Sequence, residues 1–230
     1  MKIILSIFLI LALLIGGGVY FLLQPKNLGI TYADTDLKSI TEKLKVTYES
    51  LPPGNPSGKT LIASGAHPVD STFSSRELTA AADNRYKQYV YFPFRNVQIR
   101  VNADGTVEGS AKVGFSDAVN YLVALGVSYD DVMEGAKKFK IPNASLPVYL
   151  KVSGTVENNQ SNIKVDAAEI SRIPIPQNLV NQYGPAINDL VEMVLEERQP
   201  SYSIEKLEVV DGKVHFKGTS PDKETAVTKL

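Results

Sequence analysis

His67 and His215 are the two imidazoles of this chain, and they are the natural place to look for acid–base or nucleophilic chemistry near neutral pH. His67 precedes Pro68 in a stretch rich in Gly and Ser, which reads as a loop. His215 alternates with Val214 and Phe216, so it is expected to point outward from a strand. A Ser–His–Asp arrangement needs a nucleophile held on a sharp turn, and the sequence has no Gly-x-Ser-x-Gly to place one. Asp130-Asp131 and Glu196-Glu197 are neighbouring carboxylates. Consecutive residues on a helix do not face the same point, so neither pair converges on one substrate or ion. There is no cysteine, no His-x-x-x-His pair and no calcium-loop pattern. Gly105 sits in a turn that no helix follows, so it is not a phosphate cradle. The reading is of a protein that is not an enzyme and takes no cofactor or metal.

One further segment has suggestive chemistry. Residues 85–95, RYKQYVYFPFR, interleave basic and aromatic side chains. Such a pattern can stack single-stranded nucleic acid, or sit in a lipid headgroup zone, or form a covered edge strand that stops at Pro93. After the N-terminal apolar run there are 23 basic and 25 acidic side chains. That balance argues against nucleic acid as a partner, since a nucleic-acid surface is strongly basic. Asn143-Ala144-Ser145 and Asn159-Gln160-Ser161 match the N-glycosylation sequon and fall in expected loops.

Something must position whatever this chain does, and the first element is a tether. Residues 3–23, IILSIFLILALLIGGGVYFLL, are 21 consecutive uncharged residues after Lys2. A helix of that length rises about 30 Å, the thickness of a bilayer's hydrocarbon core. A cleaved signal has a shorter apolar region followed by small residues at the cut site. Here Gly16–Gly18 come early and Val19–Leu23 extend the apolar run, so the expectation is an uncleaved, single-pass anchor over residues 1–25. The three glycines could pack against a second helix or simply be tolerated in a lone span. Lys2, Lys26 and Lys38 give only a slight positive-inside bias, but a two-residue tail before the span favours translocation of residues 25–230. The expected location is the cell membrane, with the C-terminal domain extracytoplasmic.

The remainder is long enough for one domain with a sizeable core. Leu37, Ile40, Leu44, Tyr48 and Leu51 trace a helical stripe over 35–51. A weak strand signal follows at 59–64, after the loop PPGNPSG. Ser74 and Glu77 form a capping box that starts a second helix. Period-two alternation then takes over. Val97, Ile99 and Val101 lead through Asp104-Gly105 to Val107, Gly109, Ala111 and Val113, a hairpin. Two short helices at 116–140 interrupt the sheet, the first capped by Ser116. A second hairpin runs from Leu146, Val148, Leu150 and Val152 through Glu157–Gln160 to Ile163, Val165 and Ala167. A long amphipathic helix over about 177–198 carries Leu179, Tyr183, Ile187, Leu190 and Val194 on a wide stripe, with an interruption expected at Gly184-Pro185. A third hairpin turns at Asp211-Gly212. Residues 219–230 read as a disordered tail.

Together, the run Phe73–Ala80 with its following Asp-Gly hairpin, and the order LPVYLKVSGTV, IKVDAAEISRIPIP, long helix, IEKLEVVDGKVHFKG, resemble small membrane-anchored bacterial envelope proteins related to the tubular lipid-binding (TULIP) superfamily. The resemblance covers roughly residues 28–218 and rests on structural motifs. It implies an α+β domain over 26–218 in which a curved antiparallel sheet wraps a long C-terminal amphipathic helix, with the helices at about 115–141 as an insertion. It also implies an apolar groove able to hold a lipid or acyl chain. The residues expected to line it are Val97, Ile99, Val101, Val148, Leu150, Leu179, Tyr183, Ile187, Leu190 and Val194. The alternative is a tethered protein-interaction or regulatory module with a solid core and no ligand.

Overall fold

A computed structural model describes residues 22–52, 59–138 and 141–228. Most of the expected anchor, residues 3–21, lies outside the described residues. Among the described residues no helix is long and apolar enough to cross a membrane. The architecture is α+β, with a mostly antiparallel sheet that does not close.

The first helix, α1 (Asp34–Leu44), stops earlier than its stripe suggests. Lys45 takes a left-handed conformation at its C-terminus, and Val46, Thr47 and Tyr48 are β-branched or aromatic. Residues 47–50 therefore become a strand, β1 (Thr47–Ser50), and Tyr48 and Leu51 leave the stripe. The short strand signal at 59–64 appears as β2 (Leu61–Ser64). His67, expected in a loop, opens β3 (His67–Phe73) instead. Helix α2 (Ser75–Gln88) starts on the capping box read from the sequence: Ser74 N–H donates to Glu77 Oε2 at 2.8 Å and Glu77 N–H to Ser74 Oγ at 3.3 Å.

Next come β4 (Phe94–Val101) and β5 (Thr106–Gly114), paired through the Asp104-Gly105 turn. Two helices follow, α3 (Phe115–Ala124) and α4 (Tyr129–Lys138). Helix α3 begins directly after Gly114 and makes no side-chain cap, so Ser116 does not cap it. The hairpin β6 (Ser145–Glu157) and β7 (Gln160–Ile170) turns at Asn158 and Asn159, both at positive φ. A two-residue strand, β8 (Ile173–Pro174), folds back on β7.

The 177–198 run is two helices, α5 (Gln177–Tyr183) and α6 (Ala186–Glu197), broken where Pro185 has no N–H to donate. A Cβ on Gly184 would lie 3.3 Å from Val165 Cγ2, so the break is also where the helix approaches β7 closely.

The third hairpin is β9 (Ser203–Val210) and β10 (Lys213–Ser220). The expected disordered tail is not seen at 219–228. Thr219 and Ser220 finish β10, and β11 (Lys223–Ala226) lies between β1 and β2. Two pairings explain this. Four residues register against each neighbour, and the Glu224 carboxylate meets Arg85 Nη1 of α2 at 2.5 Å. The β1–β11 pair is parallel, so this small sheet departs from the all-antiparallel expectation.

Strand β6 joins the two halves of the large sheet. Residues 145–153 pair with β5, and Val156 and Glu157 then pair with β9 on the same side. Between them Gly154 has φ +127, where a Cβ would lie 2.0 Å from Asn162 O. Only glycine permits that turn of the strand. One half is thus β4-β5-β6-β7-β8 and the other β9-β10-β3, hinged on a single residue.

Helix side chains cover the free edges of the first half. Along β4, Ser75, Thr79 and Asp83 stand one turn apart on α2 and accept the edge N–H groups of Val101, Ile99 and Val97 at 2.9, 2.9 and 2.8 Å. Along β7, Asn188 of α6 accepts from Ile163 N–H at 2.8 Å and donates to Ile163 O at 2.9 Å, while Glu192 accepts from Ser161 N–H at 2.7 Å. Unpaired strand edges are satisfied without a further strand.

Candidate functional site

The pleat divides the side chains of β4–β7 between two faces. The cross-strand rows Ile99–Gly109–Leu150–Ala168 and Ala111–Val148–Ile170 place only apolar groups on one face. The other face carries Gln98, Arg100, Glu108, Tyr149 and Glu169, the alternate positions of the same strands.

Most of the polar face is engaged; the exception is Ser110, between Gln98 and Tyr149, whose Oγ is buried without a hydrogen-bond partner among the described residues. Glu108 accepts from Tyr149 Oη at 2.5 Å and from Asn102 Nδ2 at 3.2 Å, and it pairs with Arg100. Burial pushes the Tyr149 phenol up, and the adjoining Glu108 carboxylate raises it further. Burial alone would raise Glu108; the hydrogen bonds from Tyr149, Arg100 and Asn102 override it and hold the carboxyl below its usual range. The N-terminal segment of the described residues, Gln24–Leu28, lies across this face. Lys26 Nζ is 2.5 Å from Glu169 Oε1 and 3.7 Å from the centre of the Tyr149 ring. Leu28 is buried, and its N–H donates to Gln98 Oε1 at 2.7 Å. Arg172 holds the chain just upstream, donating to Gln24 O at 3.1 Å and to Pro25 O at 2.8 Å.

The apolar face is incompletely filled. A cavity of about 480 Å³ lies over it, lined among others by Val97, Ile99, Gly109, Val148, Leu150 and Ala168. A Cβ on Gly109, in the middle of the Ile99–Leu150 row, would meet no atom within 4 Å. This cavity continues in two directions. Val148 and Ile170 also line a cavity of about 410 Å³ beneath α3 and α4, with Val119, Leu122 and Val132 as its roof. Ala82 and Phe92 also line a cavity of about 480 Å³ between α1, α2 and β10, walled by Ile40, Phe73 and Phe216. Adjoining cavities share wall residues, so the three lie in a row that makes an apolar trough segmented at Val148 and Ile170 and again at Ala82 and Phe92.

The trough has two unlike ends. The inner end reaches the ion pair of Arg85 with Glu224. Burial would lower the Arg85 guanidinium, but the adjacent Glu224 carboxylate outweighs it and raises the guanidinium above its ordinary value. The outer end lies under α3 and α4, where Asp131 is the one acidic side chain along its lining.

The expected lining residues fall in several places. Val97, Ile99, Val148 and Leu150 come together in the central cavity. Val101 is buried at the far end of β4. Val194 lines a further cavity of about 180 Å³ with Leu195, Tyr89 and Tyr121, which adjoins the inner end of the trough at Arg85, Tyr202 and Glu224. Leu179, Ile187 and Leu190 lie on α5 and α6, which run along β7 and cover its edge rather than running through the trough. Tyr183 is exposed, with Lys138 Nζ 5.6 Å from its ring centre. The sequence reading did not single out Val119, Leu122 and Val132. Val119 and Leu122 stand three residues apart on α3, and Val132 is on α4, within the segment expected to be an insertion.

Neither histidine faces the trough. His215 Nε2 is 2.8 Å from Asp70 Oδ1, on the neighbouring strand β3, and Asp70 with Glu208 raises the imidazole above its ordinary value. His67 Nδ1 is 2.8 Å from Asp222 Oδ1 and its Nε2 2.9 Å from Leu44 O. No serine or cysteine joins either ring through a hydrogen bond in the described residues. The basic–aromatic segment divides as well: Arg85–Gln88 end α2, Tyr89 is buried, and Phe94 opens β4.

Comparison with protein-family models, with curated proteins and with solved structures returns no match to this chain.

Proposed function

We propose that this protein is a membrane-anchored, extracytoplasmic lipid-binding protein of the cell envelope, TULIP-like in its use of an apolar groove, and that it handles one acyl chain at a time. One observation carries the reading: the apolar face of β4–β7 is bare over Gly109 and belongs to a row of adjoining apolar cavities that runs from α4 to the Arg85–Glu224 pair. Each of its three segments falls within the 300–1,000 Å³ typical of small-molecule sites. The ligand is hydrocarbon because the walls offer little else. Each methylene moved from water into such walls contributes about 0.8 kcal/mol, so part of one chain suffices for appreciable binding. The uncharged run 3–23 supports a tether beside the source of such chains.

Native mass spectrometry of the full chain released from detergent tests this. The expected wild-type spectrum carries one acyl-bearing adduct per chain. Gly109→Leu puts a side chain into the empty space without backbone strain, because Gly109 is not at positive φ. It is expected to fold and to lose most of the adduct. A wild-type chain without any lipid in its extract overturns the proposal and leaves the alternative, a tethered interaction module.

A further inference from the structure

The Arg172 clamp on Gln24 and Pro25 does more than tidy a linker. The apolar run of the sequence ends at Leu23, and the next two residues are already fixed to the domain. Lys26 is fixed one residue later by Glu169. No slack separates the end of the run from the β7–β8 turn.

That turn is also the outer end of the trough. Ile170 lines the cavity under α3 and α4, and its cross-strand partner is Ile173. Ile173 is 61 % exposed, the most exposed large apolar side chain of the described residues. Ile141, which lines the same cavity, is 38 % exposed. Lys137 and Lys138 end α4 just before it, and Lys138 lies beside the exposed ring of Tyr183. Exposed aliphatic side chains, a tyrosine and basic ends are what a headgroup layer accommodates.

We propose that the β7–β8 turn with the C-terminal end of α4 is a docking face for an anionic phospholipid surface, which holds the outer end of the trough against the bilayer. The inference rests on the tether in the reading above and adds the orientation of the domain. The inner end of the trough is occupied by an ion pair, so a chain enters from the α3–α4 end with its headgroup remaining outside.

The sequence contains no tryptophan, so a single introduced indole reports one position. Ile173→Trp places it on β8 beside Ile170, at one end of β7, and Gln160→Trp at the other end, about 33 Å away along β7 at 3.3 Å per residue. Each full-length variant is reconstituted into vesicles of phosphatidylethanolamine and phosphatidylglycerol with brominated acyl chains. Flotation of the vesicles reports the tether, and quenching reports orientation. The expected result is several-fold stronger quenching and a blue shift for Ile173→Trp, with Gln160→Trp unquenched. Chains that float with both indoles equally quenched or equally unquenched overturn the docking face alone. Chains that fail to float overturn the tether and the docking face together. A floating, selectively quenched chain whose extract lacks lipid retains the docking face and loses only the cargo.

Discussion

At the scale of single residues, Glu77 shows how a buried charge is kept. Its burial favours the neutral acid, but Lys43 Nζ at 2.5 Å, Ser39 Oγ at 2.6 Å and the Ser74 N–H and hydroxyl at 2.8 Å outweigh it. The carboxyl is held down at about 2. A carboxyl that titrates lower in the folded chain than in the unfolded one stabilises the fold above its unfolded value and loses that contribution as pH falls toward 2. The difference corresponds to about 3 kcal/mol at most. Glu77→Gln is therefore expected to lower stability at pH 7 and to flatten its fall between about pH 5 and pH 2. Urea unfolding of both chains across that range measures it. The capping half of this arrangement was legible, because Ser-x-x-Glu is a local pattern. Lys43 and Ser39 were not, because they reach Glu77 from another helix. The same limit applied to His67 and His215, whose partners Asp222 and Asp70 are remote in sequence.

At the scale of elements, the sequence announced hairpins and caps well, since Asp-Gly turns and two-residue alternation are local signals. It misjudged what depends on a distant partner. Residues 47–50 looked like the end of a helix until β11 is seen beside them, and 223–226 looked like a tail for the same reason. Helix α2 illustrates a role that periodicity does not reveal. Ser75, Thr79 and Asp83 form a polar row on it that serves as a substitute strand for β4. Thr79 is almost wholly buried, and its hydroxyl both accepts from Ile99 N–H and donates to Ile99 O at 3.2 Å. Thr79→Val keeps the shape and removes both bonds. The expected cost is about 1–3 kcal/mol for the backbone groups left unpaired, read as a shift of the urea midpoint at constant slope. A rise in light scattering at partial denaturation is expected beside it, because an uncovered edge invites pairing between chains.

At the scale of the whole molecule, the apolar strands of the candidate groove could be read from alternation, and four of the ten expected lining residues do meet in one cavity. The helices could not be placed, because a wide stripe says that a helix is covered and not by what. The join between the sheet halves was equally hidden: Gly154 reads as one more glycine in a strand until its φ of +127 is known. Gly154→Ala is expected to cost about 2 kcal/mol or more from strain and the clash with Asn162 O. In a chain of this size that lowers Tm by roughly 4–8 °C, measured by differential scanning calorimetry. The place of β11 has a consequence in time. Strands β1 and β2 do not pair with each other; each pairs with β11. About 160 residues separate the end of β2 from the start of β11, so at 5–20 residues per second a ribosome makes the two outer strands roughly ten to thirty seconds before the one between them. Nascent chains therefore carry two unsatisfied strands while the residues between β2 and β11 are made, and this corner of the molecule is completed only when β11 emerges.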